Sequence, residues 1–98
     1  MAKVIFTVGY EIPESHRAQY LELVRHLKPH LNTNGNSYSV CELENKRNHF
    51  HEVYTYPSKE AFEAADDAEN AQAESIIEQI YDLAKDRKVS YTTAIEIV

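Results

Sequence analysis

The sequence predicts an α+β fold, a β-α-β-β-α-β sandwich with a four-stranded antiparallel sheet. Apolar residues alternate near both ends of the chain and in two central segments, as they do in strands with one buried face. Segments with helical spacing separate these strands. This order is the split βαβ arrangement of ferredoxin-like domains. Because 98 residues can enclose only one core, we expect a single domain over residues 1–98.

The first strand and helix follow from spacing and from one proline. Apolar residues at every second position from Val4 to Ile12 predict a strand. Helical spacing then predicts a helix from about Glu14 to Lys28. Pro29 has no N–H group for the helix, so we expect the helix to end there and to separate His26 from His30.

The middle of the chain predicts a hairpin. Two strands, Tyr38–Glu44 and His49–Tyr56, flank the polar residues 45–48. A turn of two or four residues fixes the register of the two strands. The expected cross-strand pairs are Glu44 with His49, Glu42 with His51, and Cys41 with Glu52.

The second half of the chain predicts a helical region and a last strand. Ser58 can cap the helical region, which reaches about Lys85. Asp66 and Asp67 can interrupt it, with Asp67 as the cap of a second piece. Alternation from Val89 to Val98 predicts the last strand.

One face of the predicted sheet lacks a cover. Right-handed crossovers put strands one and three at the centre and both helices on the same face. The other face of strands one and four has too few charges, with uncharged residues at Ile5, Thr7, Gly9, Thr92, Ala94 and Val98. A solvated face would alternate into polar residues, so we expect a second copy to cover it in a homodimer.

Composition excludes several classes of partner. The net charge of −6, without a clustered basic stretch, argues against nucleic acid. Cys41 is the single cysteine, so no internal disulfide can form, and we expect it to be a small buried apolar residue. The sequence has neither a signal-peptide core nor an apolar run of about 20 residues. We therefore expect a cytoplasmic protein without membrane contact.

Three segments resemble the antibiotic-biosynthesis-monooxygenase-like group of dimeric α/β barrels. Gly35–Tyr38 resembles the glycine-x-x-tyrosine start of its strand two, Phe50–Tyr54 its strand three, and Pro57–Phe62 its opening of helix two. The resemblance covers about Val4 to Val98. It implies a homodimer with a pocket between sheet and helices, and relatives that include cofactor-independent oxygenases of anthrone-type phenols.

The chain departs from this group at informative positions. Ala65 stands where many relatives carry histidine. Thr7, Ala65 and Ser75 stand near the asparagine, tryptophan and histidine positions of the haem-degrading branch, and the chain contains no tryptophan. Haem is therefore not expected. Since no flavin or nicotinamide motif is present either, we predict no cofactor.

Glu52 is the best-placed ionisable residue, because Phe50 and Tyr54 flank it on its own strand face. Burial would raise its pKa and make it a candidate catalytic base or acid. The alternative, which the resemblance favours, is a structural role in which Glu52 bonds the N-terminus of helix two or a neighbouring tyrosine. We expect a ligand to contact four aromatic side chains: Phe6, Phe50, Tyr54 and Phe62.

His49 and His51 project from one face of strand three. They could hold a metal or pair with carboxylates across the strands. Without a third convergent ligand, we predict no metal site.

The leading hypothesis is a homodimeric, cofactor-independent monooxygenase-like protein that acts on a small planar phenolic or quinone-type molecule. The alternative is a non-catalytic small-molecule-binding or stress-related dimer. A third interpretation is a partner protein whose acidic second helix is the contact surface.

Overall fold

The computed structural model describes residues 2–67 and 70–98, which form four strands and three α-helices. The strands are β1 (Val4–Glu11), β2 (Ser37–Glu42), β3 (His49–Tyr56) and β4 (Ser90–Ile95). The α-helices are α1 (Arg17–Leu31), α2 (Lys59–Asp67) and α3 (Ala71–Leu83), and 3-10 turns cover Glu14–His16 and Lys85–Arg87. The strands pair antiparallel in the order β2-β3-β1-β4. The predicted fold class and strand order are confirmed.

The core lies between the helices and one face of the sheet. Alternation along the central strands buries Val4, Val8, Tyr10, Phe50, Tyr54 and Tyr56. The helices contribute Tyr20, Val24, Leu27, Ala73 and Ile80. Five of the seven tyrosines are buried, so this core must supply hydrogen-bond partners for several phenols. Within the described part of the chain, none of the helices has the length and hydropathy needed to cross a membrane.

Helix α1 continues past its predicted end at Lys28 and reaches Leu31, with Pro29 inside its last turn. Leu27, two residues before the proline, is fully buried. Packing of this turn therefore maintains the helix where proline removes one backbone hydrogen bond. The expected break between His26 and His30 was wrong.

Asn32 ends α1 and joins it to β2. Its side-chain amide donates to the carbonyl oxygens of Lys28 (3.1 Å) and Tyr38 (3.2 Å). Its Oδ1 atom accepts from the backbone N–H of Tyr38 at 3.0 Å. One side chain thus fixes where the second strand begins.

The predicted register of the hairpin was wrong by one residue. The backbone N–H of Leu43 donates to the carbonyl of His49 at 2.9 Å, so five residues, 44–48, form the loop. Two of them, Asn45 and Asn48, have positive φ angles of 67° and 68°, which asparagine tolerates better than most residues. The observed pairs are Glu42 with Phe50, Cys41 with His51, and Val40 with Glu52.

The loop has an odd number of residues, whereas an even number was predicted. Every side chain of β2 therefore lies on the opposite face from the one predicted. Cys41 consequently lies beside His51, not beside Glu52, and is exposed in the single chain instead of buried.

The break in the second helical region is confirmed, but its cap differs. Ser58 caps α2 as predicted, because its Oγ atom accepts from the backbone N–H of Ala61 at 3.1 Å. Asn70 caps α3 by accepting from the backbone N–H of Ala73 at 3.0 Å. The predicted cap, Asp67, is the last residue of α2, and its side chain lies outside the described part of the chain.

The sheet face away from the helices, here called the open face, carries small or weakly polar residues. By strand register they include Ile5, Thr7, Gly9, Ser39, Cys41, Val53, Thr92 and Ala94. Gly9 is required by close packing. A Cβ atom there would lie 3.0 Å from Ser90 Oγ and 3.1 Å from His51 Cδ2. The predicted shortage of charge is confirmed over the middle of this face, whereas Glu11, His49 and His51 lie at one end of it. Strand β4 ends at Ile95, before Val98.

A charged cluster fastens the start of α1 to the β2–β3 hairpin. Arg17 donates to both carboxylate oxygens of Glu42, at 2.6 and 2.9 Å, and to Asn48 Oδ1 at 2.7 Å. The backbone N–H of Asn48 donates to the same carboxylate at 2.7 Å. These bonds, chiefly that of Arg17, lower the pKa of Glu42 to about 2. The cluster therefore holds the irregular loop in place.

We predict that Glu42→Gln reduces the dependence of stability on acid pH. The folded pKa of Glu42 is lowered from 4.5 to about 2, so its stabilising effect is complete above pH 4.5 and is lost as pH falls toward 2. Denaturant unfolding at intervals across this range should give a flatter profile for Glu42→Gln than for the parent. Glu44→Gln, at an exposed residue of the same loop, is the control. An unchanged profile in Glu42→Gln would contradict the prediction.

Candidate functional site

A cavity of about 690 Å³ lies between the helices and one end of the sheet. Six aromatic residues form one side of its lining: Phe6, Tyr54, Tyr56, Phe62, Tyr81 and Tyr91. The ring centroid of Phe6 lies 5.6 Å from that of Tyr54 and 6.2 Å from that of Phe62. Tyr91 stacks on Phe6 at 5.9 Å, with 16° between the ring planes. This size and lining are those of a small-molecule site.

The cavity exists because the helices present small residues to a sheet that presents large ones. Strand alternation puts Phe6 and its cross-strand partner Tyr54 on the helix side of the sheet. The helices facing them contribute four alanines to the lining: Ala61, Ala64, Ala65 and Ala73. The alanine methyl groups are too small to reach the aromatic rings of the sheet across the space between the two layers. This space therefore remains open as the cavity.

Glu52 lies behind this wall, fully buried, and is not among the cavity-lining residues. Its Oε2 atom accepts from the hydroxyls of Tyr10 at 2.7 Å and Tyr38 at 3.0 Å. Its Oε1 atom accepts from the hydroxyl of Tyr54 at 3.3 Å. The hydroxyl of Tyr20 lies 2.9 Å from that of Tyr10. We call these five residues the Glu52 network.

Burial dominates the electrostatics of the Glu52 network. It raises the pKa of Glu52, against the opposing effect of the three tyrosine hydrogen bonds. Burial, followed by the nearby Glu52 carboxyl group, also raises the pKa values of Tyr10, Tyr38 and Tyr54 above that of a free phenol. The phenols therefore remain protonated and act as donors toward the carboxyl group.

Polar side chains gather on the side of the cavity near the ends of α1 and α2. Asn70, which caps α3 through Oδ1, points its Nδ2 atom toward His30 Nδ1 at 3.4 Å. Asn36 also lines the cavity, and its Oδ1 atom is buried with no hydrogen-bond partner in the described part of the chain. The cavity thus has an aromatic side and a polar side.

Three of the four aromatic residues expected to contact a ligand line this cavity: Phe6, Tyr54 and Phe62. Phe50 does not. It lies four residues before Tyr54 on β3, about 13 Å along the strand, and packs against Tyr20 with ring centroids 4.5 Å apart. The guanidinium carbon of Arg17 lies over the Phe50 ring, 5.5 Å from its centroid. The sequence pattern identified the correct face of the sheet but not the position along it.

Glu52 is buried as expected, and the alternative of a bond to a neighbouring tyrosine is confirmed, but two other expectations are not. It does not reach the cavity directly, and its neighbours are tyrosines from three strands instead of Cys41. Tyr38 and Glu52, which belong to two of the segments quoted above for the family resemblance, meet in one of these hydrogen bonds.

Sequence reasoning missed Tyr81, Tyr91 and the polar residues of the cavity. Tyr81 follows Ile77 by four residues on the apolar side of α3, and both line the cavity. This spacing was a usable signal. Asn36 and Asn70 lie in loop and cap positions, where asparagine side chains usually bond to the backbone, so no sequence pattern indicated that they lie together.

His49 and His51 lie on the open face, away from this cavity. His49 Nε2 is 3.6 Å from Glu11 Oε1, which is a cross-strand pair with β1 and not with the expected Glu44. Among residues 2–67 and 70–98, no three histidine, cysteine, aspartate or glutamate side chains converge in a metal-binding group.

The fold is shared with several solved structures. A conserved protein of unknown function from Bacteroides thetaiotaomicron superposes with a TM-score of 0.79 at 18% identity, over 97% of this chain and 98% of that one. An antibiotic biosynthesis monooxygenase gives 0.71 at 17% identity, over 100% and 98%. SnoaB, a cofactor-independent oxygenase from Streptomyces nogalater, gives 0.74 at 11% identity, over 94% and 90%.

These structures confirm the resemblance to the antibiotic-biosynthesis-monooxygenase-like group at the level of the fold. By sequence, the chain matches no family model and no curated protein. The identities are too low to transfer an activity or a substrate.

Proposed function

We propose that this protein binds a small planar phenolic or quinone-type molecule in the aromatic cavity and oxidises it with dioxygen, without a cofactor. The observation that carries the proposal is an aromatic cavity of about 690 Å³ in which one wall residue, Tyr54, is hydrogen-bonded to a buried carboxyl group. The shared fold with a cofactor-independent oxygenase supports it.

The chemistry requires little from the protein beyond binding and proton transfer. A substrate CH₂ group between aromatic rings can lose a proton to give an anion that dioxygen oxidises directly. The carbon becomes a carbonyl, so one oxygen atom enters the product and the other leaves as water. Aromatic walls would hold the ring system flat and exclude solvent from the anion. Because Glu52 is behind Tyr54, it would receive a substrate proton only through that phenol.

A second candidate is a protein that binds such a molecule without transforming it. Ala65 lines the cavity at the position where many relatives carry histidine. A methyl group there can neither orient a substrate nor move a proton. Both candidates share the same ligand site and differ only in whether oxygen is consumed.

The proposal includes a cytoplasmic homodimer that forms through the open face. Threonine, serine, alanine and valine side chains on that face can pack against the same residues of a second copy. The sheet would then be covered on both sides, and the cavity would stay on the helix side.

We predict that planar phenols stabilise the parent protein against heat and that Ala65→Phe abolishes this effect by filling the cavity. A ligand present at about 100 times its Kd adds about 2.7 kcal/mol to the free energy of unfolding. Ala18→Phe, on an exposed part of α1, is the matched control and should respond like the parent. An oxygen electrode then separates the two candidates, since only the enzyme consumes oxygen. Failure of every planar phenol and quinone to stabilise the parent would contradict both.

We also predict that the parent is a dimer at micromolar concentration and that Thr7→Lys makes it a monomer. Thr7 is on central strand β1, between Val53 and Thr92, so a lysine there would bury a charge in the interface. Gln19→Lys, on the exposed side of α1, should remain dimeric. Light scattering gives the masses. A monomeric parent would contradict the interface.

A further inference from the structure

We propose that Glu52 is a positioning residue that makes the Tyr54 oxygen a hydrogen-bond acceptor, so that the cavity selects ligands bearing an O–H or N–H donor. The inference rests on the proposed function, because it takes the cavity as the ligand site. It assigns Glu52 a role in specificity that differs both from the candidate catalytic base or acid and from the purely structural role considered from the sequence.

The hydroxyl hydrogens of the Glu52 network all point toward the carboxyl group. Tyr10, Tyr38 and Tyr54 all donate to the carboxyl group. Since the hydrogen of Tyr10 is committed to Glu52, Tyr20 must be the donor in the pair between these two tyrosines. Four hydroxyl hydrogens thus point one way, toward a group whose ionised form can only accept.

This direction decides which hydrogen bond the Tyr54 hydroxyl can offer to a ligand. A phenol has one hydrogen to donate and two lone pairs that accept. The hydrogen of Tyr54 is used inside the wall, while its side chain lines the cavity. The Tyr54 oxygen can therefore accept a hydrogen bond from a ligand but cannot donate one to it. A ligand hydroxyl can use it, whereas a methoxy group at the same place brings two acceptors together.

Replacing the carboxylate by an amide would reverse the hydrogen bond at Tyr54. In Glu52→Gln, the amide oxygen can still accept from Tyr10 and Tyr38, which share Oε2 in the parent. The amide nitrogen then faces Tyr54 and donates to it. The hydrogen of Tyr54 is displaced from the wall, so the phenol becomes a donor for the ligand. A hydroxyl and a methoxy oxygen can both accept from it, and discrimination disappears.

The test uses 2-naphthol and 2-methoxynaphthalene, which share a ring system and differ in the donor. Calorimetric titration of the parent should give at least about tenfold tighter binding of 2-naphthol, the size expected for an unmade buried hydrogen bond. The ratio of the two Kd values should fall toward one in Glu52→Gln and in Tyr54→Phe. Glu44→Gln, a matched change at an exposed glutamate, should keep the parent ratio.

Thermal unfolding of each unliganded variant confirms that it is folded before its Kd values are compared. A ratio of Kd values is insensitive to a general loss of stability, so a merely structural Glu52 would leave it unchanged. Equal binding of both compounds by the parent, or a parent-like ratio in Glu52→Gln, would overturn this inference alone. If neither 2-naphthol nor 2-methoxynaphthalene binds to the parent, the proposed function is overturned and this inference with it.

Discussion

The hydrogen bonds between one buried carboxyl group and three phenols are the constraint on which the rest of this structure depends. Burying an ionised carboxylate costs on the order of several kcal/mol unless donors surround it. Glu52 on β3 finds them on three adjacent strands, in Tyr10 of β1, Tyr38 of β2 and Tyr54 of β3 itself. A slip of one residue in either neighbouring strand would turn a tyrosine to the open face and leave the carboxyl group short of a donor. The Glu52 network therefore specifies the register of the sheet.

The same network shapes the cavity. Tyr54 belongs to both, since it donates to Glu52 and lines the cavity. The Tyr54 ring also packs against the ring of Tyr38, with their centroids 4.9 Å apart. This part of the cavity wall is therefore in place before a ligand binds. Alanines on the helices leave the space in front of it. Core stability and ligand recognition thus rely on one set of side chains.

The sequence predicted the fold and the strand order, because these depend on alternation, helical spacing and the handedness of crossovers. The helix-side location of the cavity was implied by the family resemblance and not by these patterns. Sequence prediction failed where geometry depends on single loop residues. Two asparagines with positive φ allow a hairpin loop of five residues instead of two or four. The side chains of β2 consequently lie on the opposite faces from those predicted. A bond between Glu52 and a neighbouring tyrosine was one of the structural alternatives, but Tyr38 could not be identified as a partner for the same reason, since it reaches Glu52 only in the true register. Phe50 was on the correct face, but sequence periodicity does not say where along a strand the helices leave a gap.

The pKa of Glu52 tests this account most directly. The carboxyl carbon of Glu52 can be followed by NMR across pH, with Glu52→Gln used to assign its signal. Burial predicts a pKa above the ordinary 4.5 in spite of the three tyrosine donors. A carboxyl group that titrates at or below 4.5 would mean that water or another donor reaches Glu52, and the closed network at the centre of this account would be wrong.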